Sequence, residues 1–292
     1  MINRNFLNGI FICLFILLLS CSSNTLKNKS AKEKEADLYY GQGTYELMNK
    51  QYPQALQHLL MANESDPNNS KILNNLAMAY YFKKQSALSQ ETLKKALEVD
   101  PKNSDARNNL ASIHLEMKQF AQAEQEYLTI LKDLTYQHQY RTYYNLALIS
   151  MERKNNSEAI ERLKLALNDR DDYCPAHYQL GELYEKEYRY QQAYEQYTQG
   201  SKSICYSNVA THYKQALMLL EMRQYQKARL KLQDIVEKFP TSNYAEMANL
   251  KLKKLPQTSQ TAGAINTEEL RKKMLNLPTK NQPPQKFESP TF

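Results

Sequence analysis

The sequence predicts an all-α fold in which helical hairpins stack into a superhelix, and three observations support this. Residues 36–242 resemble themselves at a period of 34 to 36 residues, the spacing of a repeated supersecondary unit. The chain has only 6 glycines in 292 residues, too few for the turns and phosphate-binding loops of most α/β and all-β folds. No segment has the alternating apolar pattern of a half-buried strand. We therefore expect six hairpins, or about twelve helices.

Each repeat has small residues at two characteristic positions and a large residue at a third. The small residue after each mid-repeat turn is Ala55, Ser89, Ala123, Ala159, Ala193 or Ala228. A second small residue, twelve positions earlier, is Ala77, Ala111, Ala147, Gly181 or Ala216. It would let the two helices of a hairpin approach closely. Large residues would fill the space between hairpins, at Leu93, Tyr127, Leu163, Tyr197 and Leu232. On this alignment the repeats begin near Ala36, Ser70, Ser104, Tyr140, Cys174 and Val209.

This pattern resembles the tetratricopeptide repeat, which implies a superhelix whose concave face is lined by the first helix of each repeat. Repeat 3 departs from the pattern because Ile130 stands where a small residue is usual. We expect its second helix to continue through Asp133 and Leu134. Residues 243–255 predict a capping helix that seals the last repeat. The residues from 256 to 292, rich in Pro, Gln, Thr and Lys, predict a disordered tail.

The first twenty residues predict a lipoprotein signal peptide. Arg4 precedes a largely apolar run over 6–19, which is short for a membrane span and typical of a signal-peptide core. The run ends in Leu18-Leu19-Ser20-Cys21, which resembles the bacterial lipobox and implies cleavage and acylation at Cys21, with residues 21–35 as anchor and linker. Ser22 after the cysteine implies transfer to the outer membrane, on its periplasmic face. An ordinary signal peptide with a chance cysteine, or a short uncleaved anchor, are the alternatives.

Composition and motifs argue against nucleic acid, cofactor, metal and small-molecule substrate as partners. The net charge is +7, but only about +2 falls on residues 36–255, whereas nucleic-acid binders concentrate positive charge on the folded domain. The chain lacks phosphate-loop, zinc-protease and hydrolase motifs, so we expect no enzyme. His177 and His212 fall at a packing position of their repeats, where a structural role is the expectation. A zinc site at Cys174, His177 and Cys205 would lack a fourth ligand.

Cys174 and Cys205 are predicted to form a disulfide. Cys13 would leave with the signal peptide and Cys21 would be acylated, so these two remain as a pair in an oxidising compartment. They flank repeat 5, and an antiparallel hairpin brings the start of its first helix close to the end of its second. Two free buried thiols are the alternative.

The predicted partner-binding groove lies on the first helices of repeats 2 to 4. It comprises Asn74, Asn75, Met78, Tyr81, Phe82, Asn108, Asn109, Asn145 and Leu148. A recurring asparagine amide can both donate to and accept from an extended peptide backbone, and contiguous apolar side chains mark a partner site. Helix-surface asparagines without a binding role are the alternative.

A lipobox followed by six tetratricopeptide repeats resembles the pilotin lipoproteins of type IV pilus biogenesis. The resemblance implies an outer-membrane lipoprotein that binds the secretin and assists its localisation and assembly. The alternative is an adaptor of another envelope complex, in peptidoglycan synthesis, periplasmic proteolysis or outer-membrane protein assembly. A peptidoglycan-active enzyme would need a catalytic acid or nucleophile, and no recognisable one is present.

Overall fold

The computed structural model describes residues 30–255, which form thirteen α-helices and no strand. The helices, labelled in chain order, are α1 (Ala31–Met48), α2 (Tyr52–Ser65), α3 (Ser70–Phe82), α4 (Ser86–Val99), α5 (Ser104–Glu116), α6 (Phe120–Ile130), α7 (Gln139–Glu152), α8 (Asn156–Asp169), α9 (Cys174–Lys186), α10 (Tyr190–Gln199), α11 (Val209–Glu221), α12 (Tyr225–Lys238) and α13 (Asn243–Lys254). A short 3₁₀ turn, Ser203–Cys205, precedes α11. The described chain divides into two compact units, residues 30–92 and 93–255. Cys21 and the predicted tail, 256–292, lie outside the described residues.

The first helix of each repeat ends in the same backbone motif. One residue per repeat has a positive φ between 58° and 63°, namely Lys50, Lys84, Lys118, Lys154, Tyr188 and Arg223. The Lys118 N–H donates to the carbonyl of Leu115, and the Gln119 N–H donates to that of His114. This pair of bonds is a Schellman motif, which satisfies orphan carbonyls at the helix end. Here non-glycine residues occupy the left-handed position, so each repeat carries local backbone strain.

The packing positions predicted from the repeat are buried as expected. The small residues after the mid-repeat turns and the large residues between hairpins are all 0% exposed. Gly181 faces Tyr197 so closely that an added Cβ would lie 2.5 Å from the ring. Gly43 faces Leu59 in the same way, at 2.6 Å. Close helix approach in these hairpins therefore depends on the missing side chain.

Each unit has its own apolar core. In residues 30–92, Leu59 and Leu76 pack with Ala55 and Ala79. In the second unit a larger cluster joins α7 to α10 around Tyr144, Leu163 and Tyr197, and the last cluster includes Leu232 and Ala248. Helix α13 corresponds to the capping helix predicted over 243–255, and it packs on α12.

Two helix boundaries differ from the sequence prediction. Helix α6 ends at Ile130 rather than running through Leu134. The Asp133 carboxylate accepts bonds from the Thr135 N–H and from Ser104 Oγ, which stabilises a turn in place of another helical turn. Helix α1 begins at Ala31, inside the predicted 21–35 linker, because Ser30 and Glu33 form a capping box.

Candidate partner-binding surface

None of the nine predicted groove residues is fully exposed. Met78, Asn74, Asn108, Asn109 and Asn145 are buried, with at most 9% exposure. The remaining four, Asn75, Tyr81, Phe82 and Leu148, are half-buried.

In the first unit the asparagine at repeat position 6 links neighbouring helices. Asn75 Nδ2 donates to Thr44 Oγ1 at 2.8 Å, and Asn74 Nδ2 donates to Asn75 Oδ1 at 3.1 Å. Thr44 belongs to α1, so the bond joins the first helices of repeats 1 and 2. This amide stabilises repeat stacking, which the sequence prediction did not consider.

The second unit uses the same position in the same way. Asn145 hydrogen-bonds to the buried Tyr127 hydroxyl, which lies 2.9 Å from Ser112 Oγ. Burial raises the pKa of Tyr127 above its ordinary range. Asn145 therefore contacts the preceding repeat. Asn75 and Asn145 each form at least one bond between repeats, and their role in a partner-binding groove stays a prediction.

In repeats 5 and 6, residues other than asparagine form the contact to the preceding repeat. Gln179 hydrogen-bonds to Tyr144, and Lys214 Nζ lies 2.9 Å from Glu185 Oε2 and 3.6 Å from Glu182 Oε1. The bonds from Asn75, Asn145, Gln179 and Lys214 each run from position 6 of one repeat to the repeat before. We call this set of bonds the position-6 contacts.

Aromatic side chains recur on the first helices, some half-buried and some buried. In the first unit Phe82 stacks on Tyr52 with ring centroids 4.6 Å apart, and Tyr81 meets Phe82 edge-on at 5.4 Å. In the second unit tyrosines recur at position 5 of repeats 4, 5 and 6, where Tyr144 and Tyr213 are buried and Tyr178 is half-buried. Tyrosine combines a rigid apolar ring with a polar tip, which suits protein contacts.

A cluster of tyrosine and arginine lies at the start of α7. Tyr140 packs edge-on against Tyr173 at 4.9 Å, and its hydroxyl accepts bonds from Arg141 Nε at 3.1 Å and Arg170 Nη1 at 2.9 Å. Arg170 also pairs with Asp172 at 2.8 Å. The hydrogen bond to Asp172 raises the pKa of Arg170 and burial lowers it. The net result is a raised pKa. This cluster fixes the orientation of two guanidinium groups beside an aromatic surface.

A cleft of about 390 Å³ opens where α11 and α13 begin. Its lining comprises Tyr178, Ser207, Asn208, Val209, Ala210, Ser242, Asn243 and Tyr244. None of these residues belongs to the groove predicted from the sequence. The sequence does indicate where the two helices begin, because Asn208 and Ser242 are residue types that are common at helix N-caps.

The segment before the cleft is held by a disulfide between Cys174 and Cys205, whose Cα atoms lie 5.5 Å apart. His212 fixes the same segment through Nε2, which donates to the Tyr206 carbonyl at 2.8 Å. Its Nδ1 accepts from the buried Lys231 Nζ at 2.9 Å. Burial, followed by the Lys231 charge, lowers the pKa of His212 to about 3, so the imidazole is neutral at physiological pH.

His177 has an equivalent arrangement one repeat earlier. Its Nε2 lies 2.7 Å from the Asp171 carbonyl and its Nδ1 lies 2.9 Å from Gln196 Oε1. Both histidines therefore connect a loop carbonyl to the second helix of their own repeat, which is a structural role. Within residues 30–255 no three metal-binding side chains come together. No helix in the same range is long and apolar enough to cross a membrane.

Three segments match family models described as tetratricopeptide repeat, at residues 70–103, 92–125 and 210–242. Together with the helical hairpins, these matches identify the fold as a tetratricopeptide-repeat fold. The class typically provides scaffolds for protein–protein interaction. No curated protein matches the sequence.

Among solved structures, the chain is similar to PilF of Pseudomonas aeruginosa, with a TM-score of 0.64 at 22% identity over 76% of this chain and 100% of PilF. It is also similar to PilW, which is described as a widely conserved type IV pilus biogenesis factor. That TM-score is 0.63 at 18% identity, over 73% of this chain and 98% of PilW. The Cut9–Hcn1 structure of the APC/C has a TM-score of 0.61 at 17% identity, over 80% of this chain but 44% of that chain. At these identities the likeness establishes the fold.

Proposed function

We propose that this protein is a lipid-anchored interaction scaffold of type IV pilus biogenesis, acting as a pilotin that assists secretin localisation and assembly. The observation that carries the proposal is the likeness to PilF and PilW, which extends over nearly the whole of both proteins. The lipobox-like sequence at Cys21 and the repeat array add to this support.

In this proposal the anchor and the repeats have separate tasks. Acyl chains on Cys21 hold the protein at the periplasmic face of the outer membrane, because each buried methylene contributes about 0.8 kcal/mol. The first-helix surfaces then bind a segment of the secretin. Polar groups on the first helices, such as Asn145 and Lys214, are engaged in position-6 contacts. We therefore assign the protein a binding role without catalysis.

The experiment is a pull-down of the protein from detergent-solubilised outer membrane, followed by identification of co-purifying proteins. We expect the secretin to co-purify. Recovery of components of another envelope complex without the secretin would contradict the pilotin role and favour a different adaptor function.

Cys21→Ala tests the anchor. We expect this variant to leave the outer-membrane fraction and to lose palmitate labelling, while its helical circular dichroism stays unchanged. Labelling that persists in the variant would contradict lipidation at this cysteine.

A paired substitution tests the aromatic surface of the first unit. Replacing Tyr81 and Phe82 together by Ala should weaken secretin binding by about 2 kcal/mol or more if the pair forms a hot spot. Leu88→Ala is the control, because Leu88 is also apolar and 45% exposed but lies on the second helix of its repeat. Deletion of residues 257–292 should leave binding nearly unchanged. Loss of secretin assembly on deletion, with normal assembly by the double variant, would place binding in the tail.

A further inference from the structure

The first helices of repeats 4 to 6 carry a surface with a regular pattern of apolar and charged side chains. Two positions of each repeat form it, with Leu148, Glu182 and Leu217 at position 9 and Met151, Glu185 and Leu220 at position 12. All six residues are half-buried, and three of the apolar ones pack against the same core cluster. In each row a carboxylate stands between two apolar side chains. We call these six residues the repeat 4–6 surface.

The centre of the repeat 4–6 surface is negatively charged. Lys214 Nζ lies 2.9 Å from Glu185 Oε2 and 3.6 Å from Glu182 Oε1, so one ammonium neutralises part of the charge of two carboxylates. Tyr197 also donates to Glu185 at 2.8 Å, and Tyr178 hydrogen-bonds to Glu182, but the phenols bring no charge. Position 13 adds further charge of the same net sign, from Glu152, Lys186 and Glu221. Because both carboxylate side chains are 27% exposed, a second cation can approach them from solvent.

The part of the chain that follows the described residues contains a segment with the complementary pattern. Residues 270–275 read Leu-Arg-Lys-Lys-Met-Leu, so three cations stand between apolar side chains. The described chain ends at Leu255, directly after α13, which contacts α11 of repeat 6. The stretch from Leu255 to Leu270 can extend about 50 Å, whereas packed helices lie about 8–10 Å apart. The segment is therefore long enough to reach the repeat 4–6 surface of its own chain.

We propose that the repeat 4–6 surface binds residues 270–275 of the same chain. The three cations would pair with the Glu182 and Glu185 carboxylates, and Leu270 and Met274 would contact the apolar side chains on either side. Complementary charge sets the register of such a contact and disfavours other segments. The inference goes beyond the proposed function and does not depend on it, because Tyr81 and Phe82 belong to the other unit.

Carbodiimide cross-linking of the purified full-length protein tests the contact, because carbodiimide joins a lysine amine to a neighbouring carboxylate. We expect cross-linked peptides that join Lys272 or Lys273 to Glu182 or Glu185. The Lys214–Glu185 pair is the internal control, since its charged atoms lie 2.9 Å apart. An equal mixture of ¹⁴N-labelled and ¹⁵N-labelled protein separates contacts within one chain from contacts between two copies. Cross-links with one isotope in both halves support the proposal, and mixed-isotope cross-links would overturn it in favour of a second copy.

Hydrogen exchange of the full-length protein measures how much of the time the segment is bound. A tethered segment has an effective concentration of about 1 mM. With a dissociation constant of about 0.1 mM, the contact would slow exchange in residues 270–275 about tenfold. The triple variant Arg271→Glu/Lys272→Glu/Lys273→Glu should lose this protection, because like charges would then face each other.

The matched control is Lys280→Glu/Lys286→Glu, which reverses charges in the same tail but outside the proposed segment. We expect it to retain the protection of residues 270–275. Glu182→Gln changes the other side of the contact and should reduce the protection, while its helical circular dichroism stays unchanged. Equal exchange in the original protein and the triple variant would overturn the inference. So would the absence of cross-links from Lys272 and Lys273 in a sample where the Lys214–Glu185 cross-link forms.

Discussion

Gly181→Ala tests whether the missing side chain sets the distance between the helices of repeat 5. An alanine Cβ would lie 2.5, 2.8 and 2.9 Å from three atoms of the Tyr197 ring, all shorter than van der Waals contact. The ring cannot move aside easily, because Tyr197 is 0% exposed and its hydroxyl donates to Glu185 at 2.8 Å. The two helices must therefore shift.

The control is Gly41→Ala, because an added Cβ at Gly41 in α1 meets nothing within 4 Å. Replacing glycine by alanine in a helix interior stabilises by about 0.5–1 kcal/mol, so this variant should gain that amount. Gly181→Ala has the same helical gain but adds an overpacking cost of about 1–3 kcal/mol. We expect it to be neutral or to lose up to about 2 kcal/mol.

Urea unfolding followed by circular dichroism measures both variants. The double variant Gly181→Ala/Tyr197→Leu should recover most of the loss in a double-mutant cycle, because Ala147 and Leu163 form this pair in repeat 4. Equal stabilisation by both alanine substitutions would refute the reasoning, since it would mean that Tyr197 does not restrict this position.

Three further predictions concern stability. Replacing Cys174 and Cys205 by Ala should lower the unfolding free energy by about 3–4 kcal/mol for a 31-residue separation, and thiol counting on the denatured, unreduced protein should find neither cysteine free. Lys118→Gly should stabilise by about 0.5–1 kcal/mol relative to Lys118→Ala, because only glycine relieves the positive φ; equal urea midpoints would contradict this. Since the folded-state pKa of His212 is about 3, below its unfolded value, its contribution to stability should disappear as the pH falls from about 6.5 towards 3. In His212→Gln, urea titrations at several pH values should show this part of the pH dependence removed.

The repeat pattern predicts the packing positions well, because they depend on side-chain size alone. Ala147 and Leu163 are both 0% exposed, as their alignment predicts. The end of α6 was missed because an acidic turn, with Asp133 bonded to Ser104, depends on a residue 29 positions away. The strain at Lys118 was also missed, because a left-handed helix end is normally indicated by glycine, and here the position has none.

The recurring asparagines show why the candidate site is harder to predict than the fold. Periodicity correctly places Asn75, Asn109 and Asn145 on the first helices, but it does not distinguish a side chain that faces solvent from one that faces the preceding repeat. Partners such as Thr44 lie one repeat away, and their identity changes from repeat to repeat. A polar residue that recurs at one position can therefore indicate stacking as well as ligand binding.

This distinction determines where a partner can bind. Side chains in position-6 contacts already bond to the preceding repeat, and a partner that broke such a buried bond would lose about 1–3 kcal/mol. A partner that displaced Asn145 from the Tyr127 hydroxyl would have to offset that cost.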